Sequence, residues 1–183
     1  MRLSATSLRT CSRYSTHSAT IRKASQLISP LRDGLLVQPV ISEFKLARRV
    51  QFYETDTAGL VHFSVFFRYM EEAEHAMWRA AGLSIAPPDA HIGFPRVATS
   101  FEFFKPLRFE DEFEVHLRIT GKSRRSLSYS VAIEKDGEAA ARGTLTIACV
   151  AKRPGASMRG TDIPSDIMDR FEVAPPHRES DPK

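Results

Sequence analysis

The sequence predicts an α+β fold in which one long helix is wrapped by a mostly antiparallel five-stranded sheet, in the order β-α-β-β-β-β. Three observations carry this expectation. Apolar residues between positions 64 and 81 recur at spacings of 4, 3, 4 and 3, the repeat of one helix face. Later segments alternate apolar and polar residues with the period of two that a half-buried strand requires. Asp136-Gly137 stands between two of those segments as a hairpin turn.

Residues 1–43 read as a basic leader outside the fold. The first 32 hold six basic residues, no acid, seven Ser and four Thr. That stretch carries +6 and the remainder −2, so the net charge of +4 belongs to the leader. A nearly neutral body argues against a nucleic-acid-binding domain, which concentrates positive charge on its folded surface. An acid-free, Arg- and Ser-rich N-terminus resembles an organellar transit peptide, which would place the protein in the mitochondrial matrix. A disordered extension, or a start codon assigned too early, accounts for the same residues and leaves a cytoplasmic protein. No stretch approaches the ~20 apolar residues of a membrane-spanning helix. Cys11 and Cys149 lie too far apart in sequence to suggest a disulfide framework, and two thiols exclude a four-thiolate metal site.

The body, residues 44–153, begins with a strand in which Leu46, Val50 and Phe52 alternate with polar neighbours. The helix follows over Ser64–Ala81, with Phe66, Met70, Ala73, Met77 and Ala80 on one face and Gly82 as its stop. Val97–Phe104 is the next strand. Phe113, Val115, Leu117 and Ile119 mark another, then Leu127, Tyr129, Val131 and Ile133, and finally Gly143, Leu145, Ile147 and Cys149. Residues 154–183 hold five of the eleven prolines, which disfavours a packed sheet there. Pro164 with Ile167, Met168 and Phe171 allows one short helix near 164–171, and disorder is expected beyond Glu172.

The segment that carries chemistry is Tyr53-Glu54-Thr55-Asp56-Thr57-Ala58-Gly59-Leu60-Val61-His62-Phe63. It places Asp56 on a loop, Gly59 at a tight turn, and His62 and Phe63 just before a helix. A helix N-terminus presents unpaired N–H groups and a positive dipole end, which can polarise a carbonyl oxygen. A carboxylate beside it can attack that carbonyl or activate a water. Asp before a helix serves equally as an Asx-turn or cap residue, worth ~1 kcal/mol of stability.

Asp56, Gly59, Val61, Phe66 and Glu71 reproduce an Asp-x-x-Gly-x-Val signature followed by an aromatic helix with a Glu. Lys105-Pro106-Leu107 with Asp111, and Ile163-Pro164, extend the match from about Phe44 to Phe171. In these features the chain resembles the hotdog-fold thioesterases of the 4-hydroxybenzoyl-CoA thioesterase family, including those associated with the Tol–Pal system. The resemblance implies an acyl-CoA thioesterase, with Asp56 as nucleophile or general base and the Gly59–His62 amides facing the thioester carbonyl. It implies a homodimer with active sites between subunits, or a dimer-of-dimers tetramer, and no metal or redox cofactor. The chain departs from the family at His62-Phe63, where Tyr-His is usual, at Phe52, where relatives carry Tyr, and at Glu74, where Arg is common.

The substrate-binding candidates are Gly59, Val61, Phe63, Glu71, Arg124 and Arg125, with His62 a second catalytic candidate. Arg124 and Arg125, with Lys122, Lys152 and Arg153, are of the type that meets coenzyme A phosphates, and equally of the type found in solvated turns. Glu71, Glu72 and His75 form a weak metal-like spacing that a solvated helix face explains. Phe101, Phe103 and Phe104 suit the core or a dimer contact. A hydratase or dehydratase on the same fold, or a non-catalytic acyl-CoA-binding protein, is the alternative function, and the acyl group is not disclosed.

Overall fold

The computed structural model describes residues 40–152, 155 and 157–176, so the expectations for residues 1–39 of the leader, Cys11 and Arg153 lie outside the described residues. Ile41, Ser42 and Glu43, expected in the leader, are instead hydrogen-bonded into the fold. Strand β1 is Glu43–Arg49, followed by a 3-10 turn at Phe52–Glu54 and helix α1 at Val65–Ala80. Then come β2 (Ile92–Gly93), β3 (Arg96–Phe103), β4 (Glu112–Lys122), β5 (Ser126–Lys135), β6 (Glu138–Ala148), β7 (Val150–Ala151), β8 (Arg159–Gly160) and helix α2 (Ser165–Met168).

The main sheet has the order β1-β4-β5-β6-β3, with every neighbouring pair antiparallel. Register places Val115 opposite Ile133, Leu117 opposite Val131 and Ile119 opposite Tyr129, so the alternating patterns bury on one face. That face wraps α1, the hotdog arrangement expected from the sequence. Phe66, Met70, Ala73 and Met77 are buried as the helical period predicts. Ala80 is only half-buried and Ala81 takes its place, while Tyr69 and Trp78 widen the buried stripe because the curled sheet contacts more than one side of the helix. Gly82 adopts φ 76°, and the N–H groups of Gly82 and Leu83 donate to the carbonyls of Arg79 and Trp78. This is the left-handed closure that a residue without Cβ supplies most readily.

Three further expectations are corrected. Disorder does not begin at Glu172: the Ala174 N–H donates to Ile119 O at 2.8 Å, which ties this segment to β4. Phe52 does not continue the first strand: it lies in the 3-10 turn and is 76% exposed. The strand stops because Glu54 turns back, its carboxylate taking the Gln51 amide at 2.7 Å. The Pro-rich C-terminal region also contributes to sheet and core. Strand β8 pairs with β7, Ile163 and Phe171 are buried, and the Phe171 ring lies 5.1 Å from that of Trp78. Ile41 donates its N–H to Arg170 and accepts from Glu172, closing the segment against the start of β1.

Strands β1 and β3 are the two edges of the main sheet, and β3 is the more exposed, with all but one of its residues exposed. At its centre Gly143 of β6 leaves room for the Phe101 ring, where an added Cβ would meet Ser100 O at 2.5 Å.

Candidate active site

The chain between β1 and α1 forms a turn organised by Asp56. One oxygen, Oδ1, accepts the amides of Ala58 at 2.8 Å and Leu60 at 3.1 Å. The Asp56 backbone N–H donates to Leu60 O at 2.7 Å, and Gly59 N–H donates to Asp56 O at 3.0 Å. Gly59 closes the turn at φ 72°, a conformation that costs a residue with Cβ about 1 kcal/mol or more. The Asx-turn reading and the chemical reading therefore coexist in one side chain. Oδ1 is spent on the turn, while Oδ2 accepts no hydrogen bond from the described residues, and Asp56 is exposed.

Asp56 borders a cleft of about 530 Å³ together with His62, Ser64, Arg68, Glu72 and Glu54. Ser64, Arg68 and Glu72 recur every four residues, so they share the helix face turned to this cleft. On the other side of the turn an apolar cavity of about 260 Å³ is lined by Leu60, Val61, Phe63, Phe66, Phe103 and Phe104. The turn from Leu60 to Phe63 lies between a polar and an aromatic cavity.

The amides of this turn divide sharply. Those of Gly59 and Leu60 are taken by Asp56, that of Val61 donates to Leu107 O at 2.8 Å, and that of His62 to Glu54 O at 3.0 Å. The Gly59–His62 amides are therefore all taken by acceptors within the chain, which corrects the expectation, drawn from the resemblance, that they face the thioester carbonyl. From Ala58 onward, Phe63 is the first residue whose N–H has no hydrogen-bond acceptor among the described residues. It stands two residues before α1, where the helix dipole adds positive potential. Val61 is buried in the core and also borders the apolar cavity.

The His62 ring is anchored through Nδ1, 2.8 Å from Ser64 Oγ, and its ring centroid lies 4.5 Å from that of Phe63. Beneath the cleft lies a carboxylate that sequence reasoning did not single out. Glu54 is 6% exposed, and its oxygens accept from Tyr69 OH at 2.7 Å and Arg48 Nη2 at 2.9 Å. Burial, reinforced by the adjacent Glu54 carboxylate, pushes the Tyr69 phenol far up and keeps it a donor. No sequence period links Arg48, Glu54 and Tyr69, because they come from three separate elements.

The other candidates lie elsewhere in the chain. Glu71 does not line the Asp56 cleft: it pairs with Arg96 at 3.0 Å, on the side of the helix that also holds buried Glu74. Glu72 instead pairs with Arg48, so Glu71, Glu72 and His75 do not converge. Among the described residues no group of three or more His, Cys, Asp or Glu is placed to hold a metal ion. Arg124 and Arg125 both pair with Asp162, at 3.3 and 2.7 Å. Lys122 donates to Met168 O and Phe171 O, clamping the end of the last helix. This loop follows the far end of β4, whereas the Asp56 turn bridges to Arg108 before its near end. The eleven residues of β4, at ~3.3 Å each, put roughly 35 Å of strand between them within one chain.

The profile of the Thioesterase-like superfamily matches residues 50–171. A protein of Aquifex aeolicus described as an esterase is 35% identical over 127 residues, covering 69% of this chain and 95% of that protein. A crystal structure of a hypothetical protein from the same organism superposes with a TM-score of 0.66 at 32% identity, covering 70% of this chain and all but 1% of the other. The structure of a 1,4-dihydroxy-2-naphthoyl-CoA thioesterase from Synechocystis gives a TM-score of 0.63 at 25% identity, covering 68% of this chain and 91% of that one.

Proposed function

This chain belongs to the Thioesterase-like superfamily, and on that premise we propose that it hydrolyses an acyl-CoA to the free acid and coenzyme A, with Asp56 as the attacking carboxylate or the base. One observation carries the reading: an Asp56 oxygen without a described donor and a Phe63 amide without a described acceptor flank the same short turn. As nucleophile, Asp56 forms an anhydride with the acyl carbon, the thiolate leaves and takes a proton, and water then cleaves the anhydride. As base, it takes the proton of the attacking water while the thiolate departs. In either case negative charge develops on the carbonyl oxygen, where a preorganised amide at a helix start is most effective. His62, fixed by Ser64, orders the cleft beside the reacting carbonyl.

The aromatic cavity behind Phe63 suits the acyl group, and its walls favour a ring or a short chain over a long one. That preference accords with the Synechocystis protein named for a naphthoyl-CoA. The exposed β3 edge, with Val97 58% and Phe103 49% exposed, suits a homodimer joined edge to edge. A two-fold axis runs the partner's β3 in the opposite direction. It brings the partner's Arg124 and Arg125 toward this chain's Asp56 end, where they serve the phosphates of coenzyme A.

A panel of aromatic, short-chain and long-chain acyl-CoA esters, read by thiol release, tests the proposal. Release of thiol with an aromatic ester is the expected result. Hydration of an enoyl-CoA without thiol release would point to a hydratase, and tight binding without any turnover to a binding protein.

A further inference from the structure

We propose that Glu54 is a positioning residue for this reaction, holding the Asp56 carboxylate and the Phe63 amide in mutual register; the proposal rests on the hydrolase reading above. Its side chain is nearly enclosed and takes three donors. Oε2 accepts from Gln51 N–H at 2.7 Å and from Tyr69 OH at 2.7 Å, and Oε1 accepts from Arg48 Nη2 at 2.9 Å. Its own carbonyl accepts His62 N–H at 3.0 Å. A single residue thus joins the incoming arm of the turn at Gln51, the outgoing arm at His62 and the helix at Tyr69.

The two groups assigned to chemistry hang directly from these anchors. Asp56 follows Glu54 by two residues, and Phe63 follows His62 by one. A displacement of Glu54 therefore moves the carboxylate and the amide relative to each other and to the helix. A shift of ~1 Å in such a constellation is enough to cost ~10²-fold in rate. Glu54 is not itself an attacking group, since both of its oxygens are occupied and Arg48 covers it. The Arg48 guanidinium also stands 4.9 Å from the centroid of the Tyr69 ring and pairs with Glu72, so the anchor is braced from β1 as well as from α1.

The test uses the full chain as wild type, Glu54→Ala, Glu54→Gln and Tyr69→Phe. Thiol release is measured for kcat and KM, and hydrogen exchange is followed at the Ala58 and Leu60 amides that Asp56 holds. Glu54→Ala should lose ~10²-fold in kcat with KM changed less than ~3-fold, and both amides should exchange faster. Glu54→Gln, whose side-chain oxygen still accepts from Gln51 or Tyr69, should recover most of the loss. A folded Glu54→Ala protein with kcat within ~2-fold of wild type, or with unchanged exchange at both amides, would overturn the proposal. Should Glu54→Ala fail to fold, Tyr69→Phe decides: it removes only the hydroxyl and keeps a ring against Phe66 and Phe113. A ~10-fold fall in kcat at constant KM is expected there, and no fall would refute the role. If wild type turns over no acyl-CoA at all, the hydrolase reading falls, whereas exchange at Ala58 and Leu60 still reports whether Glu54 holds the turn.

Discussion

Arg96, at the start of the edge strand, reaches the fully buried Glu74 at 2.7 Å, leaving Glu74 Oε1 without a partner among the described residues. Burial pushes the Glu74 carboxyl up to about 7, against the opposing pull of Arg96. In the unfolded chain the same group titrates near 4.5, so between these values the native state holds a proton that the unfolded state has lost. Its stabilising contribution is complete below about pH 4.5 and disappears as pH rises to about 7. Unfolding free energies of wild type and Glu74→Gln, compared across this window, should diverge by up to ~3 kcal/mol, with wild type losing stability relative to the variant as pH rises. Parallel pH profiles would contradict the assignment.

Replacing Asp56 with Asn preserves shape and one acceptor oxygen while removing the charge that, in the proposed reaction, attacks or takes a proton. Turnover should fall by ~10²-fold or more. Melting should shift little, because Asn supports an Asx-turn about as well as Asp, within ~1 kcal/mol. A stable and fully active Asp56→Asn protein would show that the residue only shapes its turn.

The Phe63 amide and the Phe63 ring have separable parts. Phe63→Pro deletes the N–H and should lower kcat by ~10²-fold, the usual effect of losing one oxyanion donor. Phe63→Ala keeps the amide and opens the apolar cavity, so its main effect should fall on acyl preference and KM. Equal kcat in the two variants would remove the amide from the mechanism.

Gly143 is predicted to tolerate no side chain. The atom an added Cβ would strike first is the backbone oxygen of Ser100 at 2.5 Å, with the Phe101 ring at 2.8 Å. Gly143→Val must push β3 from β6 and should cost ~1–3 kcal/mol, measured by denaturant unfolding. An unchanged midpoint would mean that the edge strand yields freely.

A charge on the exposed edge tests the proposed dimer. Val97→Lys should weaken self-association at least ~10-fold in sedimentation equilibrium while leaving the monomer folded, since edge lysines block strand addition. If turnover needs the partner's arginines, KM should rise together with dissociation. Association unaffected by the substitution would place the interface elsewhere.

What the sequence alone determined is what repeats along the chain. The 3.6-residue period located α1 to within a residue at each end, and the two-residue alternations located β4, β5 and β6 with their buried faces, because local backbone geometry converts spacing directly into a shared face. Asp56 and Gly59 were legible for a related reason: a turn is a local object whose residues contact one another within a few positions. Tertiary structure decided everything that depends on contacts between distant segments. It assembled Glu54 from β1, a 3-10 turn and α1, drew Phe171 against Trp78, and put a full strand length between Arg124 and Asp56. It also spent the Gly59–His62 amides on partners as remote as Leu107, while the Phe63 amide has no acceptor among the described residues. The spacing of residues records which face a side chain takes, but only the folded chain settles which hydrogen-bonding groups are already satisfied and which remain for a substrate.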